Sequence, residues 1–252
     1  MRILALDAAT EACSVALLLD GEVIVRSIDS GKSSAQQILA LIGEVTAQAQ
    51  LSLSSLDGIA ASIGPGAFTG VRISVAVAQG LAFGSNLPVV PVMTLEALAL
   101  QAMARQVSGE AQIPVIACLD ARMGEVYWGC FTADAARGVI ASCPPKVGPP
   151  GGIAPAFGGT ASQAGRYRGI GRGFSAYPEL AQVSGLEVSQ LDAGALPNAR
   201  EFALLGALRL ARGGGLDPAD LQPLYLRDKV AMTEAERAAQ SRQRAAAREP
   251  EA

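Results

Sequence analysis

The chain has 252 residues, is half hydrophobic by count, carries a formal net charge of −3 and contains no histidine. The charge balance excludes a broad basic face for nucleic acid. The missing imidazoles exclude the Ser/His/Asp triad, the Cys/His dyad, histidine general bases and every metal site built on histidine.

Residues 2–8 (RILALDA), 12–19 (ACSVALLL) and 22–28 (EVIVRSI) read as three strands. The last two are joined by Asp20-Gly21, a dipeptide suited to a tight hairpin turn, so the three form an antiparallel meander. A helix over about 34–50 follows, with Ile38, Leu41, Ile42, Val45 and Ala49 on one stripe. Next come a strand over 58–63, a glycine-rich loop, a helix over about 69–83, a strand over 89–92, and a third helix with Thr94 as N-cap and Glu96 in its first turn. The order βββαβαβα demands a mixed sheet with helices on its faces.

A second run of the same kind starts near Ile113, with a strand over 113–119 ending at Asp120, a strand over 125–132 and a third near 138–143. The chain therefore reads as an internal duplication. Between Pro144 and Gly159 glycine and proline predominate, which excludes a regular helix where the first half has one, so the duplicate is trimmed. A short strand over 167–171, a helical turn over 177–183 and a helix over 198–212 bearing Ala203, Leu204, Ala207, Leu208 and Leu210 complete it. The expected domains are 1–106, 107–227 and a polar tail over 228–252, which reads as a solvated helix or a frayed end.

Cys13, Cys118, Cys130 and Cys143 show no C-x-x-C spacing, so reduced thiols buried in strands are expected rather than a zinc ribbon or a thioredoxin-like motif. The best candidate for a membrane span, 71–83, carries Arg72, Gln79 and Gly80 and falls short of the roughly 18–20 apolar residues a bilayer requires. The apolar run after Arg2 is too short for a signal peptide. A soluble, cytoplasmic protein is the expectation.

Three places offer chemistry. The loop Gly64-Pro65-Gly66-Ala67-Phe68-Thr69-Gly70-Val71-Arg72 lies between a strand and a helix, where backbone N–H groups can cradle phosphate. It lacks the lysine of a Walker A loop and misses the dinucleotide spacing, so glycines enforcing a sharp turn, with Thr69 capping the helix, is the competing reading. Asp7-Ala8-Ala9-Thr10 resembles the Asp-x-Gly-Thr turn of phosphate-binding hairpins in the actin and sugar-kinase superfamily, but Ala9 stands in the glycine position, and the matching turn Asp120-Ala121-Arg122 also lacks glycine. Arg166-Tyr167-Arg168, with Arg172 and Phe174, is a basic stretch interleaved with aromatics that could touch RNA, a solvated strand edge being the alternative. The helix over 70–84 has only Arg72, Ser74 and Gln79 as polar residues, so nearly every side must be covered, by the first helix or additionally by a partner.

Residues 1–7 (MRILALD) with 10–16 (TEACSVA), the glycine loop 64–73, the block Asp120-Ala121-Arg122-Met123-Gly124-Glu125-Val126-Tyr127-Trp128, and the late Pro223-Leu224-Tyr225-Leu226-Arg227 together resemble the bacterial TsaB (YeaZ) family. The match runs over residues 1–227; the tail after Val230 has no counterpart. The resemblance implies a two-lobed α/β fold of the actin-like ATPase and sugar-kinase (ASKHA) type, with duplicated mixed-sheet lobes and a degenerate C-terminal lobe. It implies a non-catalytic subunit that works with the TsaD catalytic subunit and the TsaE ATPase. That complex transfers threonylcarbamoyl to the adenosine beside the tRNA anticodon. Cofactor and metal would belong to those partners, none being bound by this chain alone, and tRNA would be met through the complex. The resemblance further implies that the first two helices join TsaD in a helical bundle, with Leu41, Val45, Gly70, Ile73, Ser74, Val77, Ala78 and Leu81 as interface residues, and that the same face closes a homodimer when TsaD is absent. A metal-dependent peptidase or an ATP-dependent small-molecule kinase on the same fold is the enzymatic alternative.

Overall fold

The computed structural model describes residues 1–29, 35–106, 113–153, 167–183 and 191–227. The tail over 228–252, and Arg166 of the basic stretch, lie outside them. The first sheet contains β1 (Arg2–Asp7), β2 (Ala12–Leu19), β3 (Glu22–Asp29), β4 (Gly58–Ser62) and β5 (Val89–Val92) in the order β3-β2-β1-β4-β5. β1, β2 and β3 form the expected antiparallel meander, and β4 and β5 add parallel to β1. The β2–β3 turn takes φ of 48° at Asp20 and 104° at Gly21, the left-handed geometry its sequence favours.

The second sheet repeats this plan. β6 (Val115–Arg122), β7 (Glu125–Asp134), β8 (Gly138–Gly148), β9 (Arg168–Ile170) and β10 (Leu191–Asp192) lie in the order β10-β9-β6-β7-β8. β6 pairs antiparallel with β7 and parallel with β9, as β1 does with β2 and β4. β8 runs on through Pro144 and Pro145 to Gly148, beyond its expected end, and a 3₁₀ turn over Pro150–Gly152 follows. β10 escapes a sequence reading because two residues carry no periodicity.

Helices α1 (Ala35–Ala49) and α2 (Phe68–Ser85) cover the outer face of the first sheet. Helix α3 (Thr94–Met103) closes the first half. α4 (Gly173–Ala176) and α5 (Glu179–Val183) lie on the outer face of the second sheet, and α6 (Ala199–Leu210) closes the second half. The two closing helices exchange places: α3 packs on β6, β7, β8 and β9, whereas α6 packs on β1, β2, β4 and β5. Both therefore sit between the sheets, in one core that joins Ile3 and Ala5 to Leu95, Leu98, Val115, Phe131, Phe202 and Leu205. With helices on both sides, β1 buries Ile3 and Ala5 on one face and Leu4 and Leu6 on the other, all with no exposed surface. This is why the strand is apolar throughout rather than alternating.

The start of α3 departs from expectation. Met93 takes the N-cap position, and Glu96 reaches back from the first turn to accept the Met93 N–H at 3.0 Å. Thr94 lies inside the helix, fully buried, with its hydroxyl 3.2 Å from that of Ser62. The other oxygen of Glu96 meets Arg209 of α6 at 2.8 Å, and Arg209 also donates to the Pro91 carbonyl at 2.8 Å. α6 is capped by Asn198, which accepts the Arg200 N–H at 3.0 Å.

Candidate functional site

A cleft of about 570 Å³ opens where the ends of the two sheets meet. Its walls are the turn after β1 (Ala8, Ala9, Thr10, Glu11), the glycine loop with the start of α2, the turn after β6 (Leu119, Asp120, Ala121, Arg122) and the segment from Leu224 to Arg227. The two turns are built alike. Asp7 accepts the Ala9 N–H at 3.0 Å and Asp120 accepts the Arg122 N–H at 2.7 Å, so each aspartate folds the chain two residues beyond it. Asp7 has no exposed surface, and burial pushes its carboxyl up to about 6 against the lowering effect of the Ala9 N–H and the Ser62 hydroxyl.

The glycine loop is seated directly on the first of these turns. The Ala67 N–H donates to the Ala9 carbonyl at 2.7 Å. A Cβ at Gly66 would stand 2.1 Å from the Ala9 oxygen, and one at Gly70 would stand 1.9 Å from the Ala8 oxygen. These glycines are required by contact with backbone. The Ala9 carbonyl presents its negative end to the start of α2, where a phosphate cradle would have to receive an anion. The N-cap position is held by Ala67 without a side-chain cap, so Thr69 does not play the capping role expected of it.

The cations at the cleft are paired. Arg122 donates to Glu11 at 3.0 Å and meets Asp120 at 3.0 Å, so the turn of the second lobe is tied to that of the first. Arg172 stands 3.9 Å from Glu11 and 3.7 Å from Asp29, and Phe174 is buried under the second sheet. Of the two aromatics in the basic stretch, Phe174 is core, because β9 and α4 turn it inward, and Tyr167 is half-buried against the same cluster. The segment from Pro223 to Arg227 forms a strap. Leu224 N–H donates to the Ile63 carbonyl at 2.8 Å, Arg72 donates to the Tyr225 hydroxyl at 2.8 Å and lies 3.8 Å above the Phe68 ring, and Arg227 reaches the Ala121 carbonyl at 3.1 Å and the Glu125 carboxylate.

The outer helices tell which of the expected interface residues face outward. Leu41, Val45, Gly70, Ser74 and Ala78 are buried within the chain, and Ile73, Val77 and Leu81 are half-buried. The first five point at the sheet and cannot meet a partner directly. α2 is covered by β1, β4, β5 and α1 and by the 3₁₀ turn over Pro218–Asp220, where Gln79 donates to the carbonyls of Pro218 at 3.0 Å and Leu221 at 3.1 Å. What stays open is a second stripe, Ala76, Gly80, Phe83 and Gly84 on α2, and on α1 Leu39, Ala40, Gly43 and Ala47 are also exposed. Phe83 is 82% exposed and Leu39 is 50% exposed. A Cβ at Gly43, Gly80 or Gly84 would meet nothing. Glycine inside a helix costs about 1 kcal/mol relative to alanine, and among the described residues no contact explains it at these positions. Spacing could have found this stripe, since 76, 80, 83 and 84 recur at helical intervals, but all sides of the helix are apolar or small and the inward face is no greasier than the outward one.

Among the described residues no group of three or more His, Cys, Asp or Glu side chains is placed to hold a metal ion, and no helix is long and apolar enough to cross a membrane.

The family model described as TsaD, tRNA N6-adenosine threonylcarbamoyltransferase, matches residues 28–142. The tRNA threonylcarbamoyladenosine biosynthesis protein TsaB of Escherichia coli K12 is 34% identical over 236 residues, which is 92% of this chain and 96% of that protein. Its namesake from Haemophilus influenzae is 32% identical over 244 residues, 91% of this chain and 95% of the other. Among solved structures, an uncharacterized Pseudomonas aeruginosa protein described as similar to peptidase YeaZ superposes with a TM-score of 0.79 at 37% identity, over 90% of this chain and 99% of that one. YeaZ from Pseudomonas aeruginosa superposes with a TM-score of 0.76 at 36% identity, over 89% and 99%.

Proposed function

Because the chain belongs to the TsaB family, whose curated members are named for tRNA threonylcarbamoyladenosine biosynthesis, we propose that it serves that modification as a non-catalytic subunit. In this reading its fold is of the actin-like ATPase and sugar-kinase type with a reduced second lobe. It binds and activates a TsaD-like catalytic subunit, together with a TsaE-like ATPase, in the cytoplasm, and meets tRNA only through that assembly. Nucleotide and metal are held by the partners.

The observation that carries the proposal is the open stripe of α1 and α2. Glycines with nothing above them, flanked by an almost bare phenylalanine, let the helices of another chain approach to backbone distance while Phe83 and Leu39 fill its grooves. The cleft supports the same division of labour. Its first turn and glycine loop hold each other through the Ala9 carbonyl, and its second turn carries Arg122 paired to Glu11, so neither is shaped to grip a phosphate. When the catalytic subunit is missing, the stripe closes against a second copy of the chain. A peptidase would have to build its metal site from carboxylates and thiols alone, since the chain has no histidine.

The deciding experiment is reconstitution of threonylcarbamoyl transfer to tRNA with purified TsaD and TsaE, with and without this chain. Transfer that requires the chain, combined with inactivity of the chain by itself, is expected. Equal transfer in its absence, or modification by the chain alone, overturns the proposal.

A further inference from the structure

Three of the four cysteines, Cys118, Cys130 and Cys143, lie on the second sheet, and two of them are register partners: Cys130 of β7 stands opposite Cys143 of β8. Residues directly opposite in an antiparallel pair share a face, with Cβ atoms about 4.5–5.5 Å apart and Cα atoms within the span a disulfide bridges. The face is the outer one. Cys143 packs against the cluster of Ile116, Trp128, Ile153 and Phe174, and Cys130 follows Trp128 by two residues on its strand.

The ladder around this pair is loose. β8 is an edge strand. The register slips on both sides of Cys130, since Trp128 pairs with Lys146, Cys130 with Cys143, and Phe131 with Ala141, which leaves an extra β8 residue in each interval. One interval contains Pro144 and Pro145, which have no N–H to give. An edge strand bulged on both sides of one residue has the freedom to bring the two sulfurs together. The two thiols also differ in access: Cys130 is 3% exposed, and Cys143 is half-buried.

We propose that Cys130 and Cys143 are an oxidisable dithiol pair, which a low-molecular-weight disulfide such as oxidised glutathione converts to an intrachain cross-strand disulfide. Cys143, the more accessible thiol, attacks the small disulfide as its thiolate and releases one equivalent of small thiol, leaving a mixed disulfide. Cys130 then gives up its proton to solvent, its sulfur attacks Cys143 Sγ, and the second small thiol leaves. Two protein thiols are oxidised and one small disulfide is reduced to two thiols. Burial holds the Cys130 thiol above its ordinary range, which makes this second step the slower one.

The full-length chain, incubated with oxidised glutathione and then denatured, is read by thiol titration and peptide mass mapping. The titre is expected to fall from four thiols to two, with one cross-linked species joining Cys130 to Cys143 and no glutathione retained. Cys143→Ser, a change on a half-exposed edge strand, is expected to yield no cross-link. Four surviving thiols, a lasting glutathione adduct on Cys143, or a bond that joins other cysteines or two chains overturns the proposal.

Discussion

Ser74 accepts the Ala8 N–H on its hydroxyl at 2.9 Å, and neither residue has any exposed surface. The bond joins α2 to the turn after β1, so Ser74 belongs to the scaffold beneath the cleft. Ser74→Arg is expected to unfold the chain or cost about 4 kcal/mol or more, because it buries an unpaired charge and orphans an N–H. Urea unfolding monitored by circular dichroism measures it. Gly80→Arg, on the open stripe, is expected to raise the urea midpoint slightly, arginine being a better helix former than glycine, and to abolish co-elution with TsaD.

Gly43→Ala and Gly80→Ala test the stripe in the other direction. Each adds a methyl into open space and removes a helix-breaking residue, so each is expected to stabilise the isolated chain by about 1 kcal/mol. The two lie on different helices and their gains should add. If the stripe is an interface, the same changes weaken the complex, and calorimetric titration with TsaD reads a lower affinity in a more stable protein.

Gly66→Ala and Gly70→Ala are expected to be the reverse case. Their Cβ atoms would fall 2.1 Å and 1.9 Å from the carbonyl oxygens of Ala9 and Ala8, distances that only a backbone shift relieves. A loss of about 3 kcal/mol each is expected in chemical denaturation, at the upper end of overpacking effects.

Asp7 makes stability depend on pH. Its folded pKa of about 6 lies above its ordinary value of 3.8, so the native state holds the proton more tightly than the unfolded chain. The stability this group contributes is complete below its ordinary value and is lost as pH rises through about 6, amounting to about 3 kcal/mol by the linkage relation. Asp7→Asn removes the titration. Urea curves at pH 5 and pH 7.5 should therefore show the parent losing more stability between the two than the variant does. Equal losses would contradict the burial effect.

Much of the architecture was legible from the chain because its signals are local. Asp20-Gly21 set the first hairpin, the apolar runs of β1 and β4 announced strands, and the repeat of strand, aspartate and hairpin around Asp7 and Asp120 disclosed two sheets of one plan. What stayed hidden depends on three dimensions. Periodicity shows that α2 must be covered but not by what, and the covering by the Pro218–Asp220 turn comes from far along the chain. For the same reason Ser74 and Ala78 looked free to meet a partner, although Gly80 and Phe83 hold the open side. Phe174 was read with its basic neighbours, yet its burial follows from the pairing of β9 with β6. The helix starts were misjudged because Met93 and Ala67, neither of which carries a side-chain oxygen, hold the N-cap positions assigned to Thr94 and Thr69.

The exchange of α3 and α6 between the sheets means that neither half owns a finished interior. Severing the chain between Met103 and Ile113 would leave two fragments, each missing the lid that the other carries, and neither should fold when expressed by itself. Produced together, they should find each other and restore the whole, as split proteins do, with the Glu96–Arg209 pair as one clasp.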